Sequence, residues 1–270
     1  MKFKYGAGVL AAGIFLLLYF QTFKWLLDSW LYDPFYSHGF IVPVISLVMI
    51  WWKRNELKNI TPEKNPLGIY VFTLGLILYV VGTLLIAFFL LGISLILMLI
   101  GLILHFYGKE FTRKLLFPLC FLIFMIPLPG LDALGGDLQY LTADNSVRIS
   151  QAFGAEIYQE DLGLYVKGCA IMIGLPCSGL RSIISLLMFA AVFVYIIKGS
   201  FPRKAVILLM AVPIAIASNT IRVTLAILIA NSYGCDAATT YFHDFSSIFL
   251  FAIAIALLIL FSRILKCDIF

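Results

Sequence analysis

The feature that most constrains the fold is a succession of apolar runs, each bounded by charge, glycine or proline. An α-helix rises about 1.5 Å per residue, so about 20 apolar residues cross a hydrocarbon core of about 30 Å. The runs predict eight transmembrane helices, at 7–27, 39–52, 67–86, 89–107, 114–128, 178–197, 205–230 and 245–265. The predicted fold class is therefore an all-α polytopic membrane protein.

Composition argues against a soluble alternative. Hydrophobic residues make up 63% of the 270 residues and charged residues only 12%, with a mean hydropathy of +1.05. So little polar surface does not cover a water-soluble globule. The net charge of +5 does not indicate a nucleic-acid partner. The basic residues form short clusters beside apolar runs, as they do in the loops that flank transmembrane helices. We expect one transmembrane domain over residues 1–270, surrounded by membrane lipids.

One boundary between predicted helices rests on length alone. The stretch 67–107 has no polar break, yet as a single helix it would span about 60 Å, twice a bilayer core. We divide it at a hinge between Ala87 and Gly92.

Basic residues also predict the orientation. Fourteen of the 19 Lys and Arg residues fall in segments that share one side of the predicted bundle, and such residues are retained in the cytoplasm. Both termini are therefore expected in the cytoplasm, with the segment 129–176 outside. The first apolar run lacks a small-residue cleavage site, so we interpret it as a retained helix.

The outer segment 129–176 is expected to have structure of its own. Its apolar residues indicate an amphipathic helix on the membrane surface, through Leu131, Leu134, Leu138, Leu141, Val147 and Ile149. After this helix, polar and apolar residues alternate around Asp161-Leu162-Gly163, which predicts a short hairpin. The segment either shapes a site above the bilayer or only connects two helices.

A cysteine stands at the outer start of the sixth predicted helix, in Pro176-Cys177-Ser178-Gly179-Leu180-Arg181-Ser182. Proline and serine suit a helix opening, so Cys177 is expected in the first turn, where unpaired N–H groups and the helix dipole stabilise a thiolate. Arg181, four residues on, is expected on the same face. This pattern is typical of a nucleophilic cysteine with a lowered pKa. The alternative for Arg181 is a structural role, in which its side chain extends along the helix to place the charge at the membrane interface.

The seventh predicted helix carries an arginine inside the membrane, in Asn219-Thr220-Ile221-Arg222-Val223. Arg222 lies about 12 Å below the expected outer end at Ala230. An ionisable residue at such a depth indicates a functional site by default. Asn219 shares its face and is expected to orient the guanidinium. The alternative is a structural arginine whose donors bond carbonyl groups.

Two histidines are expected on the outer side. His243, in Tyr241-Phe242-His243-Asp244, enters the eighth helix at the membrane level of Cys177, where an imidazole serves as general acid and base near neutral pH. His38, in Tyr36-Ser37-His38-Gly39-Phe40, is assigned a supporting or substrate-contacting role. For each, the alternative is an ordinary interfacial histidine.

The remaining cysteines indicate no metal site. The chain has five cysteines, an odd number without CxxC spacing, which argues against a zinc site and a disulfide framework. Cys169 is interpreted as a loop residue and Cys235 as an exposed bystander. We expect neither a metal ion nor a cofactor.

These motifs resemble those of the exosortase and archaeosortase family of membrane proteins. The Tyr36 to Phe40 motif is similar to the family's N-terminal signature, the Cys177 to Ser182 motif to its cysteine motif, and the Asn219 to Val223 motif to its arginine motif. A histidine follows at the next helix. The resemblance implies that Cys177, Arg222 and His243 occupy the positions of the family's catalytic triad.

The resemblance implies a cysteine protease or transpeptidase at the outer face of the cytoplasmic (inner) membrane. Its expected substrates are exported proteins with C-terminal transmembrane sorting tails of the PEP-CTERM type. The acyl acceptor, whether water, a lipid or a glycan, stays open. An alternative from another class is a transporter or export component of a surface polysaccharide system, with Arg181 and Arg222 lining a polar path. A structural scaffold is a third.

Overall fold

The structure, a computed structural model, describes residues 13–238 and 243–267, except for the side chains of residues 132, 176 and 243–247. The chain is 78% helical and divides into two compact units, Met1–Pro129 and Gly130–Phe270. The prediction of an all-α membrane protein is confirmed, while eight membrane crossings and a single domain remain predictions.

Helices form the first unit. They are α1 (Phe20–Tyr32), α2 (Ile41–Trp52), α3 (Arg54–Lys58), α4 (Leu67–Leu84) and α5 (Phe88–Phe121). Residues 13–18 are helical ahead of α1. A 3₁₀ turn over Ser37–Phe40 leads into α2, and another over Leu122–Met125 follows α5.

The apolar stretch 67–107 does contain the expected hinge. α4 ends at Leu84 and α5 begins at Phe88, with Ala87 in a non-helical conformation. The predicted break between the helices 89–107 and 114–128 is present as a kink inside α5, where Gly108 has φ 84° and ψ −178°. Only glycine adopts this conformation without strain, so this residue determines where the fourth and fifth predicted helices separate.

α4 and α5 pack closely through glycines. Gly68, Gly75 and Gly82 are buried on α4 and repeat every seven residues. A Cβ added at Gly75 would lie 2.7 Å from the Met98 side chain, and one at Gly101 on α5 would lie 2.5 Å from the α4 backbone. Faces of small residues allow helices to approach in lipid, where van der Waals packing drives their association.

The second unit begins with the segment predicted to lie outside. Helix α6 (Leu131–Ala152) precedes an antiparallel sheet of β1 (Tyr158–Glu160), β2 (Gly163–Val166) and β3 (Cys169–Met172), in the order β1-β2-β3. The predicted helix and hairpin are present, and the third strand was not foreseen. Lys167 and Gly168, which join β2 to β3, both have positive φ, as a two-residue hairpin turn requires.

Three helices complete the second unit: α7 (Leu180–Ile196), α8 (Phe201–Tyr233) and α9 (His243–Ile264). They pack around an apolar core that includes Leu186, Ala190, Ile207, Ala211 and Leu258. With 33 residues, α8 is about 50 Å long. It ends three residues beyond the predicted boundary, so Arg222 lies about 16 Å from the helix end.

Length and composition support the membrane assignment. In the described chain, Leu67–Leu84, Phe88–Met125 and Phe201–Tyr233 are long and apolar enough to cross a membrane. Shorter apolar helices cover Ser37–Trp52, Leu180–Ile196 and Ile248–Ile264. Many large apolar side chains on these helices are exposed, as expected for surfaces that contact lipid tails.

Candidate active site

Cys177 lies at the end of a 3₁₀ turn rather than in an α-helix. The turn covers Leu175–Cys177, and α7 begins only at Leu180. Between them, Gly179 has φ 84°, in the left-handed region that favours glycine. The prediction that Cys177 occupies the first turn of a helix is therefore wrong, because this glycine separates the cysteine from the helix.

Cys177 and Arg181 do not lie in one continuous helix. The Oγ of Ser178 accepts a hydrogen bond from the Leu180 N–H at 3.2 Å, which satisfies one donor at the start of α7. Arg181 is the second residue of α7 and is exposed. Since Gly179 interrupts the helical geometry, the prediction that Arg181 follows Cys177 by one helical turn is also wrong.

The Cys177 side chain is partly buried against apolar residues. Their cluster draws on α6, the sheet and α8, and consists of Ala143, Val147, Leu164, Val166, Ile173, Val223 and Ile227. Because apolar surroundings screen charge poorly, a charged group beside the thiol acts on it more strongly than in water.

Asn219 holds the cysteine segment, which consists of residues 173–177. Its Nδ2 donates one hydrogen bond to the Cys177 carbonyl at 2.7 Å and another to the Thr142 Oγ1 at 3.2 Å. Asn219 is buried, and in the described part of the chain its Oδ1 has no hydrogen-bond partner. The expectation that Asn219 orients the Arg222 guanidinium is wrong, because only the amide oxygen could accept from a guanidinium, and this oxygen has no partner among the described residues.

Arg222 lies one helical turn after Asn219 and is partly buried. Its guanidinium is close enough to the Cys177 thiol and to Arg181 to interact electrostatically with both. A positive charge in this position attracts a thiolate, and it also attracts the oxyanion that forms when a thiolate adds to a carbonyl. The structure thus brings Cys177, Asn219 and Arg222 together, with Arg181 at their edge.

A small cavity of about 20 Å³ lies beside Arg222. Its polar lining consists of Ser182, Ser218, Asn219 and Arg222, and its apolar lining of Leu186, Ala215, Leu250, Phe251 and Ala254. A volume of this size accommodates about one water molecule. A peptide substrate does not fit there, so it must meet the cysteine outside this cavity.

His243 is the first residue of α9, close to the start predicted for the eighth helix. Its side chain lies outside the described residues, so its approach to Cys177 stays a prediction. Among the described residues, no group of three His, Cys, Asp or Glu side chains is placed to hold a metal ion.

His38 lies in the first unit, in the 3₁₀ turn before α2. Its Nε2 is 3.2 Å from the carbonyl oxygen of Phe124, in the turn that follows α5. This contact joins two turns of the same unit. The supporting or substrate-contacting role of His38 stays a prediction.

A disulfide joins Cys169 and Cys235, whose Cα atoms are 5.1 Å apart. It connects β3 to the segment that follows α8, beside a small apolar cluster with Ala230 and Ala238. The interpretation of the two cysteines as a loop residue and an exposed bystander is therefore wrong. One signal pointed to the pair: both cysteines were predicted on the outer side, where disulfides form and persist.

Sequence reasoning also missed a buried polar face on α6. Its residues are spaced by three or four positions, as one face of a helix requires, and are Gln139, Thr142, Ser146 and Ser150. The prediction considered only the apolar residues of this helix. The spacing of the polar residues was a signal that they share a face, although it did not reveal their partners.

The transmembrane exosortase family (Exosortase_EpsH) matches residues 30–260. Comparison with curated proteins and with solved structures gives no significant match. The matched range contains Cys177, Arg222 and His243 together with His38, so the similarity extends over most of the chain and is not confined to one motif.

Proposed function

The chain belongs to the transmembrane exosortase family, and on that premise we propose that it is a cysteine protease or transpeptidase acting on C-terminal sorting tails of exported proteins. The observation that carries this proposal is the Cys177 thiol within electrostatic range of the Arg222 guanidinium, on a segment held by Asn219. A thiol on a partly exposed cysteine, within electrostatic range of a fixed positive charge, is suited to nucleophilic attack on a carbonyl group.

In the proposed reaction, the Cys177 thiolate adds to the carbonyl carbon of the scissile peptide bond. Arg222 stabilises the oxyanion of the tetrahedral adduct. His243 donates a proton to the leaving amine, and the C–N bond breaks to leave a thioester on Cys177. His243 then takes a proton from the acceptor, which attacks the thioester and releases the thiolate. Water as acceptor gives hydrolysis, whereas a lipid or glycan gives transfer.

Two further residues are assigned supporting roles. Arg181 is exposed at the start of α7 and within electrostatic range of Arg222, which favours a role in attracting an anionic part of the substrate. His38 is proposed as a supporting or substrate-contacting residue, because its motif resembles the N-terminal signature of the family.

We infer that the site faces the outside of the cytoplasmic membrane and that both termini face the cytoplasm. The distribution of basic residues supports this orientation. The disulfide between Cys169 and Cys235 supports it independently, because disulfides persist in oxidising compartments. A tail with a transmembrane helix would reach such a site from within the membrane plane.

The transporter alternative gains no support from the structure around Arg222. That hypothesis requires a polar path lined by Arg181 and Arg222, whereas the cavity beside Arg222 holds about one water molecule. The arginine is better explained by a charge that forms near Cys177 during acyl transfer.

The test is co-expression of the chain with an exported protein that carries a PEP-CTERM-type tail, followed by immunoblotting and mass spectrometry of the tail. We expect Cys177→Ala, Arg222→Ala and His243→Ala to reach the membrane at wild-type levels and to leave the tail uncut. Cys120→Ala is the matched control, because Cys120 is a free and exposed cysteine outside the site, and it should cleave normally. Full processing by Cys177→Ala would exclude thiol chemistry.

A further inference from the structure

Helix α6 buries polar side chains that the proposed reaction does not use. Gln139 is 7% exposed, Thr142 1% and Ser146 0%. A helix that only lies on a membrane surface directs its polar face to water, whereas this polar face is turned into the second unit. Buried polar groups are costly unless they form hydrogen bonds, so their partners indicate what the face is for.

The partners lie on the cysteine segment and on α8. Gln139 donates from Nε2 to the Ile173 carbonyl at 2.8 Å, and Thr142 accepts from the Asn219 amide at 3.2 Å. Ser146 donates to the Thr220 carbonyl on α8 at 3.2 Å. The polar face of α6 therefore contacts both the chain that leads to the cysteine and the helix that carries Arg222.

The segment from Ile173 to Cys177 is held at both ends by side-chain amides. Gln139 binds the carbonyl at its start and Asn219 binds the carbonyl at its end. An asparagine amide has two N–H donors, and both of those on Asn219 are used. Flipping the amide would place its oxygen against the Cys177 carbonyl oxygen, so its orientation is determined by its partners.

We propose that Gln139, Thr142 and Asn219 form an amide clamp, in which they act as positioning residues that hold Cys177 beside Arg222. That Cys177 is the nucleophile which these residues position rests on the proposed function. Thr142 fixes the Asn219 amide, and this amide fixes the backbone of the nucleophile. Because a misplacement of about 1 Å at a reacting centre costs about 100-fold in rate, loss of the clamp should lower the turnover number while tail binding is retained.

Two substitutions each weaken the clamp with little change in volume. Asn219→Asp replaces the donor with a carboxylate oxygen that repels the Cys177 carbonyl, and Thr142→Val removes the acceptor of the second hydrogen bond. Their matched controls are Asn231→Asp, also on α8, and Ser146→Ala, also on the buried face of α6. Ser146 binds the Thr220 carbonyl on α8, and the backbone carbonyl of Asn231 accepts from Lys167, so neither of these bonds is made to the cysteine segment.

The first readout needs no substrate. Iodoacetamide alkylation of Cys177 is measured against pH in membranes, in a Cys120→Ala background, because Cys267 is buried and the other two cysteines form the disulfide. We expect Asn219→Asp to change the alkylation rate about tenfold or more and to displace its pH profile, because the thiol then sits differently towards Arg222 and because the new carboxylate acts directly on the thiolate. Thr142→Val adds no charge, so its effect reports positioning alone. Thr142→Val should change both in the same direction, and the two controls should match the parent.

The second readout is cleavage of a tailed peptide. Asn219→Asp should lower kcat about 100-fold and leave KM within about threefold, because the clamp positions the nucleophile and does not bind the tail. Clamp variants that match their controls in alkylation rate and pH profile would overturn the proposal, and so would a loss that appears in KM alone. If the parent enzyme cleaves nothing, the proposed function fails, while alkylation still decides whether the clamp positions the thiol.

Discussion

Removing the disulfide between Cys169 and Cys235 should destabilise the second unit by about 2–4 kcal/mol. The bond closes a loop with a sequence separation of 66 residues, for which loop-closure entropy amounts to about 4 kcal/mol at most. The loop includes all of α7 and α8, and apolar helices in a membrane retain their helical structure after tertiary contacts are lost. The denatured chain is thus less free than a random coil, which places the expected value below that maximum.

Temperature-dependent trypsin cleavage of the purified protein in detergent measures this effect. Lys167, in the turn between β2 and β3, is a cleavage site close to the disulfide. We expect Cys169→Ala/Cys235→Ala to become susceptible at a temperature lower by roughly 5–15 °C, since each kcal/mol shifts the midpoint by about 2–4 °C in a domain of this size. Cys120→Ala should leave the midpoint unchanged.

Reduction provides an internal check on the assignment. Dithiothreitol should lower the midpoint of the wild-type protein towards that of the double variant, and it should leave the double variant unaffected. Equal midpoints for the wild type and the double variant under oxidising conditions would refute the reasoning. So would maleimide labelling of Cys169 and Cys235 in the unreduced, folded protein.

Three other substitutions test the backbone geometry at Gly179, the packing of α4 against α5, and the ion pair between Glu56 and Lys114. Gly179→Ala should slow tail cleavage at least about tenfold in steady-state kinetics, because a left-handed φ costs an L residue about 1–2 kcal/mol and the new Cβ would lie 2.9 Å from the Asn219 side chain. Gly101→Ala should destabilise the first unit by about 1–3 kcal/mol, measured by tryptophan fluorescence on heating, since its Cβ would meet the α4 backbone. The hydrogen bond and the charge of Lys114 hold the pKa of Glu56 below its usual value, so the stability from this pair is present above the ordinary pKa of glutamate and is lost as pH falls through the lowered pKa. Glu56→Gln should therefore reduce the loss of thermal stability on acidification.

Much of the fold was predictable because its causes are local. The length of each apolar run predicts a helix that crosses the membrane, and the length limit alone indicated the hinge near Ala87. Alternation around Asp161 indicated a hairpin. These signals depend on residues close together in the chain, so no knowledge of the tertiary structure was needed.

The site was predictable in its residue types but not in its contacts. A cysteine beside Pro176 and an arginine inside an apolar run are unusual enough to stand out. Their local geometry was predicted wrongly because Gly179 adopts a left-handed conformation, which sequence alone permits but does not require. One residue thus separated Cys177 from the helix in which it was expected.

The sequence by itself determined that this chain is a helical membrane protein, and it indicated the thiol and the guanidinium of the site, because composition, run length and spacing are properties of the chain. Only the tertiary structure decided that Asn219 binds the Cys177 carbonyl, that α6 turns a polar face inward, and that Cys169 pairs with Cys235. The partners in each of these contacts are distant in sequence. Their pairing depends on how the helices pack, and the local pattern around either partner does not specify it.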